Sequence, residues 1–132
     1  MYSEKLLNHF RDPRHAGVLP PPAVMVRVEN PGCGDLLELW ARVEKGTIQE
    51  ATFRAQGCPP TVACASALCE WLQERSIPDA TGLDACMVEE LVGGLPPPSR
   101  HAAALAVDAV RKLLEAVKAA AARTEASRAG AF

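Results

Sequence analysis

The chain has 132 residues, of which 48% are hydrophobic and 23% charged, with a net charge of −2. That length gives one domain with a core of its own, and the near-neutral balance offers no electrostatic case for nucleic acid. Apolar runs are short and broken by charge, so no segment is expected to span a membrane. The start Met1-Tyr2-Ser3-Glu4-Lys5 leads into an amphipathic stretch and lacks a signal peptide's apolar core, which makes the cytoplasm the expected location.

Ser3 caps an expected helix over residues 4–11, with Leu6, Leu7 and Phe10 as its apolar stripe. Asp12-Pro13 breaks that helix, because the residue before proline avoids the helical region. Leu19-Pro20-Pro21-Pro22 then reads as a stiff extended connector. Three strands follow, over 25–29, 36–44 and 48–56, with a hairpin turn at Glu44-Lys45-Gly46-Thr47. In the second, Leu37, Leu39, Ala41 and Val43 share one face and Glu38, Trp40 and Arg42 the other. Ile48 is out of phase with Ala51, Phe53 and Ala55, the signature of a bulge. A helix over 61–75 opens behind Pro59-Pro60, which suit its first positions, and buries Val62, Ala65, Leu68, Cys69 and Leu72. Residues 76–82 read as linker and 83–92 as a short helix with Cys86 in its first turn. After Gly93-Gly94-Leu95-Pro96-Pro97-Pro98, Ser99 caps a long final helix carrying Ala103, Ala106, Val107, Val110, Leu114 and Val117 on one stripe. Residues 1–123 form the expected domain and 124–132 a frayed tail. His9 and His15 read as surface or loop residues, and Trp71 as packing.

Chemistry concentrates in two turns, Asn30-Pro31-Gly32-Cys33-Gly34-Asp35 and Gly57-Cys58-Pro59-Pro60. In an antiparallel meander the start of the second strand and the end of the third fall on one sheet edge, so the turns are expected side by side. Asp35 is close enough in sequence to share their space. The helix beginning just beyond Cys58 also favours a thiolate there. The pair reads either as a site for metal or sulfur, or as two hairpin ends in which cysteine is incidental. Five cysteines, at 33, 58, 64, 69 and 86, are an odd number in a chain without an export signal. They argue against a disulfide framework and leave metal, persulfide or burial. No CxxC pair is present to suggest thioredoxin-like redox or zinc-ribbon chemistry. Cys64, Cys69 and Cys86 read as structural. At 1.5 Å per residue Cys64 lies roughly 6–9 Å along the helix from Cys58, too far to share one ion whose zinc–sulfur bonds measure about 2.3 Å.

Taken together, residues 2–118 resemble the U-type iron–sulfur cluster scaffold family, IscU and the N-terminal domain of NifU. The resemblance rests on Tyr2-Ser3-Glu4-Lys5, Asp12-Pro13-Arg14-His15-Ala16-Gly17, Cys33-Gly34-Asp35, Gly57-Cys58, Cys69-Glu70-Trp71, Glu89-Glu90-Leu91, Leu95-Pro96-Pro97 and His101 in family order. It implies an α+β fold, a three-stranded antiparallel sheet packed with helices, and a scaffold or carrier role in place of an enzyme's. It further implies that Cys33, Asp35, Cys58 and His101 hold a transient [2Fe-2S] cluster, iron or zinc, and that Cys58 or Cys33 accepts persulfide from a cysteine desulfurase before transfer to apoproteins. A carboxylate or imidazole releases its metal more readily than a fourth thiolate would, which suits a scaffold. Two departures stand out. Ala102 occupies the position of the family's third cysteine, and the loop recognised by an Hsp70-type chaperone continues Pro98-Ser99-Arg100 after Leu95-Pro96-Pro97. The chain also lacks the insertion that marks the SufU branch, which points away from zinc-dependent sulfur relay of that type. The departures leave two further readings beside the scaffold: a regulatory paralogue that docks on a desulfurase, and a persulfide-accepting sulfur-transfer accessory.

Overall fold

The structure, a computed structural model, describes residues 2–30, 32 and 34–130, with side chains through residue 122. Cys33 therefore lies outside the described residues. Its elements run α1 (Glu4–Arg11), β1 (Val24–Asn30), β2 (Asp35–Glu44), β3 (Thr47–Gln56), α2 (Pro59–Leu72), α3 (Ile77–Thr81), α4 (Ala85–Leu91), a 3-10 turn (Pro97–Ser99) and α5 (His101–Gly130). The fold is α+β as the sequence implies: one antiparallel sheet in the order β1-β2-β3, with α2 and α5 packed against it. Among the described residues no helix is long and apolar enough to cross a membrane.

The hairpin joining β2 to β3 turns through Lys45 and Gly46, both at positive φ (52° and 75°), as a two-residue turn matched to strand twist requires. The register then slips between Arg42 and Val43, which pair with Glu50 and Ile48. Gln49 is the extra residue, and the bulge turns Ile48 inward beside Ala51 and Phe53, all three essentially buried.

Helix α2 is the centre of the molecule. The sequence assigns it one buried stripe, yet burial runs round it: Ala63, Cys64, Ala65, Ser66, Ala67, Leu68, Cys69 and Leu72 are all enclosed by β3, α1, α4 and α5. A helix apolar on every side belongs in the interior, and small side chains let its neighbours approach closely. It ends at Leu72, short of the expected residue 75, because the chain there turns to pair with β3. Ile48 N–H donates to Arg75 O (2.8 Å) and Glu74 N–H to Ile48 O (2.8 Å). The stretch expected as linker contains α3, capped by Ser76, whose side chain accepts from Asp79 N–H. The Ser-x-x-Asp spacing is a helix-start signal.

The free edge of β3 is covered a second time. Gly17 N–H donates to Phe53 O (2.8 Å) and Phe53 N–H to His15 O (3.2 Å), which blunts an edge that would otherwise template pairing with another chain. From there the chain must reach β1 at the opposite edge. Met25, Trp40 and Thr52 stand in one row across the sheet. Trp40 lies on the face opposite Leu39 and Ala41, as expected, yet is only 7% exposed.

His9 is the other departure. It is buried on α1, its Nδ1 2.8 Å from Ser66 Oγ, with the Arg14 guanidinium against its ring. In α5 the buried stripe includes Ala102, Leu105, Ala109 and Leu113 beside Ala103, Ala106, Val107 and Val110, while Leu114 and Val117 are half-buried. Ser99 falls in the 3-10 turn and does not cap α5. The Ala103 and Ala104 amides of its first turn donate to Arg100 O.

Candidate metal centre

Three segments meet at one end of the sheet. Asp35 opens β2, and its neighbour Leu36 pairs with Gln56 at the end of β3. One further step brings Gly57 and Cys58, the residue that caps α2. Gly57 has φ +144°, and a Cβ there would lie 2.1 Å from Asp35 Oδ1, so only glycine admits the carboxylate this close. Asp35 Oδ1 accepts a hydrogen bond from Cys58 N–H (3.2 Å). His101 enters from the start of α5, directly after the 3-10 turn.

The three side chains converge. His101 Nε2 is 3.2 Å from Asp35 Oδ2 and 3.8 Å from Cys58 Sγ, and Cys58 Sγ is 3.9 Å from Asp35 Oδ2. Asp35 is almost wholly buried, while Cys58 and His101 are half-open to solvent. His101 Nδ1 is 3.0 Å from Pro98 O. A carbonyl only accepts, so Nδ1 carries a proton and Nε2 is the atom turned toward Asp35 and Cys58. Two acceptors, a carboxylate oxygen and an imidazole lone pair, cannot face each other at that separation unless a proton or a metal ion lies between them.

The fit to a metal can be checked by geometry. A tetrahedral ion with bonds of about 2.0–2.3 Å holds its ligand atoms about 3.3–3.8 Å apart. The separations of 3.2, 3.8 and 3.9 Å fall close to that range. The donor set of sulfur, imidazole and carboxylate suits zinc or iron. Thus Asp35, Cys58 and His101 are brought together. Cys33 is outside the described residues, though its neighbour Gly34 and the start of β2 lie beside this cluster.

The remaining described cysteines stand apart. Cys64 and Cys69 are wholly buried. Burial, with the nearby Cys58 and Glu89, pushes the Cys64 thiol up to about 12, and burial alone raises Cys69 further. In the metal-free fold both are closed to solvent and held as thiols at neutral pH. Cys86, in the first turn of α4, is exposed. Ala102 is 1% exposed and packs into the core beside His101. One contact has no counterpart in the sequence reading: Thr61 Oγ1 lies 3.3 Å from Cys58 Sγ. Thr61 lies three residues beyond the cysteine, one helical turn on, a spacing common to any first-turn threonine.

Comparison with known proteins agrees with the fold and the motifs. The model of the NifU-like N terminal domain matches residues 1–125. The iron–sulfur cluster assembly scaffold protein IscU 1 of Archaeoglobus fulgidus is 33% identical over 114 residues, spanning 86% of this chain and 74% of the relative. IscU of Buchnera aphidicola subsp. Acyrthosiphon pisum is 35% identical over 122 residues, 89% of this chain and 94% of its own. Among solved structures, the N-terminal NifU-like protein of Brucella abortus superposes with a TM-score of 0.60 at 17% identity, over 87% of this chain and 88% of that one. At that identity it speaks for the fold alone. With a family model over nearly the whole chain and relatives at a third identity across most of it, the chain belongs to the NifU-like N-terminal domain family, the U-type scaffolds.

Proposed function

We propose that this protein is a scaffold for iron–sulfur cluster assembly that carries its cargo, iron, a labile [2Fe-2S] cluster or zinc, on Cys33, Asp35, Cys58 and His101. The observation that carries the reading is the spacing of Asp35 Oδ2, Cys58 Sγ and His101 Nε2, which suits one tetrahedral ion. The relatives named as IscU scaffolds support the same role. Mixed ligation suits temporary holding: thiolate gives affinity for iron and sulfur, and the carboxylate and imidazole exchange more readily. Half-open exposure of Cys58 lets a donor reach the sulfur, so Cys58, or Cys33, would accept persulfide from a cysteine desulfurase and an apoprotein would take the finished cluster.

Anaerobic reconstitution with iron, cysteine and a desulfurase tests this. A cluster absorbance that disappears in Cys33→Ser and in Cys58→Ser is the expected result. A protein that binds the desulfurase but gains neither cluster nor metal would instead be a regulatory paralogue. A gain of one sulfur on a single cysteine, without iron, would make it a sulfur-transfer accessory.

A further inference from the structure

We propose that Thr61 is a positioning residue for the Cys58 sulfur, its hydroxyl donating a hydrogen bond to the metal-bound thiolate and thereby setting the strength of the sulfur–metal bond. The inference rests on the metal-carrying reading above. A residue at a helix N-cap normally finds backbone N–H donors for its side chain in the first turn. Here the first two positions are Pro59 and Pro60, which have none, and Cys58 has no such side-chain bond. The third residue's N–H, that of Thr61, donates to Cys58 O (3.0 Å). The helix start thus offers the sulfur one donor from its first turn, the Thr61 hydroxyl at 3.3 Å. Thr61 is 2% exposed, so water does not compete for that hydroxyl, and Cys58 Sγ is the partner that satisfies it. A metal-bound thiolate can only accept, which fixes the direction of the bond.

Hydrogen bonds to ligating sulfur draw charge from the metal–sulfur bond and tune metal affinity and redox potential. Their weight is larger in a site with alanine at position 102, where fewer thiolates share the load. Anaerobic cobalt(II) titration of the wild type, Thr61→Val and Thr61→Ser reads the effect directly through the thiolate-to-cobalt charge-transfer band. The wild type and Thr61→Ser are expected to share one band. In Thr61→Val the more electron-rich sulfur moves it to longer wavelength, while cobalt affinity falls by about tenfold because the sulfur is no longer held in place before the metal binds. Thr61→Ala carries the same expectation without a branched side chain to repack, should Thr61→Val fail to fold. A loss of affinity with the band unmoved, or a serine variant that behaves like valine, overturns the inference and leaves the metal site standing. A wild-type protein that gives no thiolate–cobalt band overturns both.

Discussion

The residue on which the site's geometry turns carries no functional group. Gly57 holds a positive φ and faces the Asp35 carboxylate so closely that a methyl group would overlap it. Gly57→Ala is expected to destabilise the fold by about 1–3 kcal/mol, read from the urea midpoint. It should also lower zinc affinity, because the Asp35 bond to Cys58 N–H breaks. The cysteines divide by burial in the same way. In the metal-free native protein, alkylation at neutral pH followed by mass spectrometry should label Cys58 and the exposed Cys86. Cys64 and Cys69, whose thiols are held well above the usual range by burial, should stay unmodified until the protein is unfolded. Labelling of Cys64 in the native state would mean that the α2 start opens in solution.

At the scale of elements, α1 and the segment beyond it are tied to α2 through His9. Ser66 Oγ accepts from Arg14 N–H (2.8 Å) and can donate to His9 Nδ1 (2.8 Å), and Arg14 also reaches Glu70 (3.4 Å). Burial, then the Arg14 charge, lower the His9 pKa, partly opposed by Glu70 and reinforced by Lys5. The native state therefore binds this proton less readily than the unfolded chain, whose histidine titrates near 6.5. Stability from a neutral His9 is complete above that pH and is lost as pH falls below it, at most about 1.4 kcal/mol per pH unit. Denaturant melts at pH 7.5 and 5.5 should show a smaller acid loss for His9→Gln than for the wild type. An equal loss would remove His9 from the account. None of this was legible in the sequence, where His9 is one histidine on a short amphipathic helix. Its burial depends on Ser66 and Arg14, both far along the chain or beyond a break. Trp40 is a similar case, buried on the face that strand periodicity alone assigns to the outside. By contrast the Ile48 phase break did announce its bulge, because a local shift in a period of two has one geometric meaning.

For the molecule as a whole, the three strands matter because they bring two sequence-distant turns to one edge and aim α5 at them. The meander predicts that the turns carrying Cys33 and Cys58 share one sheet edge, and Asp35, two residues beyond Cys33, does lie against Cys58. His101 was reached only through family resemblance, since nothing in the α5 pattern distinguishes a ligand at its first position, and Thr61 looks like any threonine in a first turn. Ala102 is buried beside His101, at the position where the family resemblance implies a third cysteine. Ala102→Cys should add a thiolate to the site and lengthen the lifetime of a reconstituted cluster, followed by its absorbance decay under a chelator. An unchanged decay would mean that position 102 does not reach the cargo. The central claim, that cysteine, aspartate and histidine ligate one metal centre, is tested most directly by X-ray absorption at the zinc edge of the zinc-loaded protein. The expected spectrum shows a four-ligand shell with sulfur at about 2.3 Å and nitrogen or oxygen at about 2.0–2.2 Å, losing one sulfur in Cys58→Ser. A shell without sulfur, or one unchanged by that substitution, would contradict it.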